Sequence, residues 1–156
     1  MNVLVVSEPG VDGVFRYVDT LCHFLWQQGI GVHLAYSDRR AGDQLPKLVG
    51  EVSARGGRTL NLRTANRPEP ADGRAFAGLL ALTREVRPDV IHTHSSKAGF
   101  LGRMLRMCGV RAVQCYHPHA YVGMRPNGGR FDQIYNVIEG VMGRLAHSIV
   151  VSADEA

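Results

Sequence analysis

The chain has 156 residues, of which 45% are hydrophobic and 21% charged, a size and composition typical of one soluble globular domain. No apolar run reaches the ~20 residues that cross a bilayer, and the amino terminus lacks the features of a secretory signal, so we expect a cytoplasmic protein. The net charge of +4 comes from an excess of arginine, without a lysine-rich tail or a helix-turn-helix signature, which argues against a nucleic-acid partner.

Short continuous apolar runs alternate with stretches whose apolar residues recur at helical spacing. Continuous apolar strands are typical of a parallel sheet covered by helices on both faces. We therefore predict an α/β, Rossmann-like domain of three layers with a mostly parallel sheet. In chain order the predicted elements are strand 3–6, helix 13–28, strand 32–36, helix 44–54, strand 59–62, a helix capped by Asp72 and closed by Pro88, strand 89–93, a helix from about 97 to 108, strand 110–116, a helix over 134–145 and strand 148–151.

The end of the chain carries the signal for one more helix. Ser152 and Glu155 have the spacing of a capping box, in which a serine and a glutamate satisfy the first backbone N–H groups of a helix. The chain stops one residue later. We therefore expect this domain to be part of a longer protein.

A glycine-containing turn lies between the first predicted strand and the first predicted helix. Gly10 and Gly13 stand three residues apart, which does not match the dinucleotide-binding fingerprint. Glycine lets a backbone approach a ligand closely, and a helix amino terminus attracts anions. The turn therefore predicts either a contact with phosphate or a tight structural connection.

Two histidine-bearing segments follow probable neighbouring strands. His92 and His94 should point to one side of their strand, and Ser95 or Ser96 can cap the helix that places Lys97 in its first turn. The helix dipole disfavours a cation there, which suggests that Lys97 meets a ligand; the alternative is a side chain in water. For His92, deeper in the strand, a core imidazole with satisfied hydrogen bonds is the favoured interpretation.

The second segment is Tyr-His-Pro-His-Ala-Tyr over 116–121. Pro118 makes its predecessor extended, which places His119 at the mouth of the sheet. An imidazole there can donate to a phosphate or sugar oxygen. The histidine spacing also allows a metal site, but beyond Asp89 no carboxylate lies nearby in sequence to complete it, so we expect no metal.

Taken together, these segments resemble the amino-terminal half of a family 4 glycosyltransferase with the GT-B fold. The more specific segments are Ser-Ser-Lys-Ala-Gly and Pro-His, and the resemblance runs along the whole chain. The matching segments are the glycine turn, Val-Ile-His-Thr-His-Ser-Ser-Lys-Ala-Gly over 90–99, Gly-Arg over 102–103, Pro-His-Ala-Tyr over 118–121, Ile-Tyr-Asn-Val-Ile-Glu over 134–139 and Ile-Val-Val-Ser-Ala-Asp-Glu over 149–155.

The resemblance implies a retaining enzyme that moves a sugar from a nucleotide-diphosphate sugar to a glycan or lipid-linked acceptor. Residues 1–156 would be the acceptor-side domain, inactive alone, and the donor-binding carboxyl-terminal domain would be absent from this chain. His119 would contact the transferred sugar, and Gly13 the donor diphosphate, although Asp12 stands where the family usually has another glycine. The expected acceptor contacts are His94, Ser95, Ser96, Lys97 and Tyr121.

Two other functions remain open from the residues alone. One is a stand-alone module that binds a nucleotide or sugar phosphate, and the other is a metal-dependent hydrolase built on the histidines. The arginines predict either a solvated surface or a face that attracts anionic lipid headgroups, which would hold the protein at the inner face of the membrane.

Overall fold

The structure is a computed structural model that describes residues 1–8, 12–65, 68–119, 140, 142 and 144–150. Within these residues six strands and four helices alternate along most of the chain. The predictions for helix 134–145, the capping box at 152–155 and Tyr121 fall wholly or largely outside the described residues. The elements are β1 Asn2–Ser7, α1 Asp12–Gln27, β2 Gly31–Tyr36, α2 Leu45–Ala54, β3 Thr59–Asn61, α3 Asp72–Val86, β4 Val90–His94, α4 Ser96–Met107, β5 Val113–His117 and β6 Ser148–Ile149.

The strands form one sheet in the order β3-β2-β1-β4-β5-β6, and every neighbouring pair is parallel. The predicted Rossmann-like α/β class is therefore confirmed. The order reverses between β1 and β4, where Ser7 pairs with His94. In open sheets of this kind the ligand crevice lies beyond the carboxyl ends of the strands at that reversal.

Two apolar cores, one on each face, hold the sheet between the helices. Alternate residues of a strand point to opposite faces, so Val3 and Val5 pack under α1 and α2 while Leu4 and Val6 pack under α3 and α4. His92 and His94 lie beside Val5 and Ser7 in the register. Their imidazoles therefore belong to the α1 face, and Thr93 to the α4 face. The two histidines thus lie on one side of their strand, as predicted.

Two strand boundaries differ from the prediction. The fourth strand begins at Val90 and extends to His94, and the fifth begins at Val113 where 110 was expected. The backbone of Val113 donates to the carbonyl of Asp89 at 2.9 Å, just before β4 begins. Val110 is apolar enough to read as strand, but it lies before this first pairing and packs on the end of α4 instead.

At the starts of two helices, one predicted cap is confirmed and one is wrong. Ser95 is the N-cap of α4 and its hydroxyl accepts from the backbone N–H of Ala98 at 3.4 Å. Asp72 is not the N-cap of α3, a position that Ala71 occupies without a side-chain bond. Its carboxylate is used elsewhere, as described below.

Candidate functional site

Four imidazoles gather at the carboxyl ends of β4 and β5. His94 pairs with His117 in the sheet register, and each has another histidine two residues away. The Nδ1 atom of His94 lies 3.0 Å from Nε2 of His119, and the rings of His117 and His119 stack with centroids 3.8 Å apart. The structure therefore brings the two predicted histidine segments together.

Tyr17 of α1 packs against this histidine cluster, formed by His92, His94, His117 and His119. Its ring centroid lies 4.7 Å from that of His117 and 5.2 Å from that of His119. Sequence analysis missed Tyr17, which stands at the edge of the apolar stripe of its helix, three residues after Val14 and four before Leu21. Only the packing of α1 over β4 and β5 shows that Tyr17, which is exposed on the helix, also lies beside the site.

Burial keeps two of these imidazoles neutral. Removal from water lowers the pKa of His92 to about 4 and holds that of His94 well below its usual range, and the neighbouring histidines add to both shifts. His94 is fully buried. We expected His94 to contact the acceptor. In this structure its side chain has no exposed surface, and its hydrogen bond to His119 links it to the mouth of the sheet.

His92 does not match the favoured sequence interpretation. The Nε2 atom of His92 is buried and has no hydrogen-bond partner among the described residues, and the same is true of Nε2 of His94. The prediction of a core imidazole with satisfied hydrogen bonds is therefore not met at this nitrogen of His92 within the part of the chain that the structure describes. The ring of His92 instead lies beside that of His94, with the two centroids 4.3 Å apart.

Lys97 is largely buried and forms an ion pair. Its Nζ lies 2.9 Å from both carboxylate oxygens of Asp72, and its side chain is only 10% exposed. Asp72 also accepts the backbone N–H of Glu69 at 2.9 Å. The charge conflict predicted for Lys97 in the first turn of α4 is thus compensated within the protein, by a residue 25 positions away.

Ser95 combines two roles, since its hydroxyl caps α4 while its backbone turns the chain out of β4. Its φ of 84° and ψ of 158° lie in a region that residues other than glycine rarely adopt. Strain of this kind costs about 1–3 kcal/mol and is often found at functional sites. Ser96 is the first residue of α4.

We expect Ser95→Gly to raise the free energy of unfolding by about 1 kcal/mol, because glycine relieves the strain and loses little as an N-cap. Ser95→Ala should instead lower it by about 1 kcal/mol, since alanine keeps the strain and loses the cap. Urea denaturation followed by circular dichroism measures both. Equal stabilities for the two variants would contradict the assignment.

Glu8, directly after β1, is a site residue that sequence analysis missed. Its side chain is 3% exposed; Oε2 lies 3.6 Å from Nη1 of Arg40, and Oε1 has no hydrogen-bond partner among the described residues. Burial raises the pKa of the carboxyl, and the charges of Arg40 and Lys97 oppose that shift. Its position immediately after a strand predicted to be buried was the available signal.

The raised pKa of Glu8 predicts a pH-dependent effect of Glu8→Gln. A carboxyl whose pKa is higher in the folded state contributes most to stability at low pH and loses that contribution as pH rises through the folded pKa. We therefore expect the variant to be more stable than wild type by roughly 1 kcal/mol near pH 7 and about equal to it near pH 4. Thermal melts at both pH values test this, and a gain of the same size at both would contradict it.

Gly13 is exposed at the start of α1, and a side chain there would meet no other group within 4 Å. Fold packing therefore does not require glycine at this position. The predicted contact with a donor diphosphate stays a prediction. Residues 9–11 and the side chain of Asp12 lie outside the described part of the structure.

Arg103 corrects one part of the charge analysis. It is 1% exposed, its Nε donates to the carbonyl of Gly99 at 2.9 Å, and its guanidinium lies 4.2 Å from the ring centroid of Tyr116. It is therefore a core residue and contributes nothing to an outer basic face. By contrast, Arg84, Arg87 and Arg111 line a surface groove together.

A parallel sheet with the strand order above and a polar site at its reversal defines the Rossmann-like ligand-binding domains. Residues 12–156 match the family model for the glycosyl transferase 4-like domain. The chain belongs to that family. No curated protein sequence matches it significantly.

Solved structures show the same fold at low sequence identity. Sucrose-phosphate synthase from Thermosynechococcus elongatus matches with a TM-score of 0.69 at 16% identity over 99% of this chain and 43% of that one. MurG from Acinetobacter baumannii matches with a TM-score of 0.61 at 12% identity, over 96% of this chain and 40% of that one. UDP-GlcNAc 2-epimerase from Neisseria meningitidis, bound to UDP-GlcNAc, matches with a TM-score of 0.63 at 12% identity, over 97% of this chain and 40% of that one. The chain thus spans about two fifths of the length of these proteins.

Proposed function

We propose that this chain is the acceptor-side half of a retaining glycosyltransferase. The enzyme moves a sugar from a nucleotide-diphosphate sugar to a glycan or lipid-linked acceptor, without a cofactor. The membership in the glycosyl transferase 4-like family supports this most directly. The donor-binding half is a second domain of the whole protein, so residues 1–156 alone do not turn over.

In this proposal His119 is the residue nearest to the reaction centre. It lies at the mouth of the sheet with a φ of 62°, in the left-handed region, and its Nε2 is tied to Nδ1 of His94. A neutral, buried His94 holds the imidazole of His119 in one orientation, and His119 contacts the transferred sugar. His94 is thus a positioning residue.

The acceptor lies along the start of α4 and the end of β1. Ser95, Ser96 and Tyr121 offer hydroxyls to it. Oε1 of Glu8, which has no hydrogen-bond partner among the described residues, accepts one of its hydroxyl groups. Lys97, which is already held by Asp72, contributes its positive charge to the acceptor pocket from a fixed position. Gly13 lets the backbone approach the donor diphosphate.

The protein acts at the inner face of the cell membrane, where lipid-linked acceptors are available to a cytoplasmic enzyme. The groove lined by Arg84, Arg87 and Arg111 suits anionic headgroups. Among the described helices, none is long and apolar enough to cross a bilayer. Contact with the membrane is therefore peripheral in this proposal.

The test is a transfer assay with radiolabelled UDP- and GDP-sugars and a lipid-pyrophosphate-sugar acceptor. The 156-residue chain and the whole protein that contains it are compared, and product analysis gives the anomeric configuration. We expect turnover only by the whole protein. His119→Ala should reduce it by about 100-fold or more, as loss of a group that stabilises a transition state does.

His147→Ala is the matched control, because His147 is an exposed histidine that pairs with Arg106 away from the histidine cluster. It should leave turnover unchanged. Robust transfer by residues 1–156 alone would overturn the proposed half-enzyme. Tight binding of a nucleotide sugar to the isolated chain, measured by calorimetry, would instead favour a stand-alone binding module.

A further inference from the structure

We infer that His92, His94 and His117 form a binding site for a divalent transition-metal ion such as Zn²⁺. One ring nitrogen from each of the three imidazoles lies within 4.8 Å of the other two. This departs from the sequence-based expectation of no metal. It does not depend on the proposed transferase activity, since binding of an ion can be measured without any turnover.

The three ligands stand on rigid neighbouring strands. His92 and His94 are alternate residues of β4 with ring centroids 4.3 Å apart, and His117 is the register partner of His94 on β5. Side chains on paired strands lose little freedom when they bind a ligand, because the sheet already fixes their directions. The protein has therefore already met much of the entropic cost of assembling the site.

Two of the imidazoles have a buried nitrogen without a hydrogen-bond partner in the described part of the chain. Nε2 of His92 and Nε2 of His94 are inaccessible to water and have no hydrogen-bond partner among the described residues. Leaving such a group unsatisfied typically costs about 1–3 kcal/mol, and native proteins rarely accept it without a reason. An ion bound by both lone pairs removes that cost.

The hydrogen bond between His94 and His119 suits metal binding. Histidines that bind metals usually donate their other ring N–H to a neighbouring acceptor, which fixes the tautomer and the ring orientation. If Nδ1 of His94 donates to Nε2 of His119, 3.0 Å away, Nε2 of His94 presents its lone pair to the ion. His119 is then hydrogen-bonded to the metal-binding His94 without contacting the ion itself.

The set of donors selects the kind of ion. Three neutral imidazoles and one open position, filled by water, are the ligands of open zinc sites, and they do not suit Mg²⁺ or Ca²⁺, which prefer oxygen. Two ligands of a tetrahedral zinc, each about 2.0 Å from it, lie about 3.4 Å apart. The ring nitrogens, which lie within 4.8 Å of one another, must therefore approach by up to about 1.4 Å when the ion binds.

The experiment is calorimetric titration of Zn²⁺ and Mg²⁺ into the metal-stripped 156-residue chain, with the absorption spectrum of bound Co²⁺ as a second readout. We expect one Zn²⁺ per chain, no Mg²⁺, and the intense spectrum of four-coordinate Co²⁺. His92→Gln and His117→Gln should each weaken Zn²⁺ binding by at least about 100-fold, and His119→Ala by about 10–100-fold, as loss of an outer partner does.

His23→Ala is the control for adventitious binding. His23 is a half-buried histidine whose ring lies 3.1 Å from a carboxylate oxygen of Glu51 and near Asp19, so it is another place where zinc could collect. Binding that survives His117→Gln and disappears in His23→Ala would overturn the proposal. Circular dichroism confirms that each variant is folded.

A thermal melt of the wild-type chain needs no variant. Zn²⁺ at 100 times its dissociation constant should raise the melting temperature measurably, because an ion that binds only the folded state stabilises it. No change in melting temperature at millimolar Zn²⁺ would overturn the proposal as well.

Discussion

Gly99→Ala is expected to lower the free energy of unfolding by about 1–3 kcal/mol, the cost of forcing extra volume into a packed core. A Cβ atom on Gly99 would collide with the ring of Tyr116. That ring is 1% exposed and lies under the guanidinium of Arg103, so it has no room to move. We therefore expect a value at the upper end of the range, measured by urea denaturation.

Gly50→Ala is the matched control within α2. A Cβ atom there meets nothing within 4 Å. Alanine is a better helix former than glycine, so this variant should be more stable than wild type by about 0.5–1 kcal/mol. If both substitutions shifted stability in the same direction, close packing of α4 on the sheet could not be the reason for glycine at position 99.

Lys97→Met is expected to lower the free energy of unfolding by about 2 kcal/mol. The substitution leaves the carboxylate of Asp72, which is 22% exposed, without its cation. Removing one partner of a fully buried ion pair costs about 3–5 kcal/mol, and the partial exposure of Asp72 reduces this. Thermal and urea denaturation near pH 7 give the value.

A double-mutant cycle identifies the ion pair as the cause. Asp72→Asn alone should also destabilise, and the double variant with Lys97→Met should be more stable than the sum of the two single effects predicts, because no charge is then left unpaired. Strict additivity would show that the two side chains do not interact in solution. The transferase activity that we propose for the whole protein should fall in Lys97→Met and not recover in the double variant, since the positive charge is lost in both.

Much of the fold could be predicted from sequence because it rests on local patterns. The apolar runs of β1 and β2 and the helical stripes of α1 and α2 are visible in the residues themselves, and the observed bounds differ by only a few residues. The start of β5 could not be predicted as well. A strand begins where its neighbour offers a partner, and the neighbour of Val113 lies more than twenty residues earlier in the chain.

The site shows the same division between local and distant information. The histidine segments could be placed at one edge of the sheet because parallel strands end together. The Lys97–Asp72 pair, the contact of Tyr17 with the cluster and the burial of Arg103 could not be placed in this way. Each joins elements whose relative position depends on the order of the strands and the packing of the helices.

By itself the sequence determined the α/β class, the run of strands and helices, a serine cap at 95 or 96 and the family resemblance, because periodicity, turn residues and motifs are properties of neighbouring residues. Only the tertiary structure decided which charges are paired, which imidazoles converge and which glycines touch a neighbour. Those depend on distances between residues far apart in the chain, and the sheet register and helix packing set these distances.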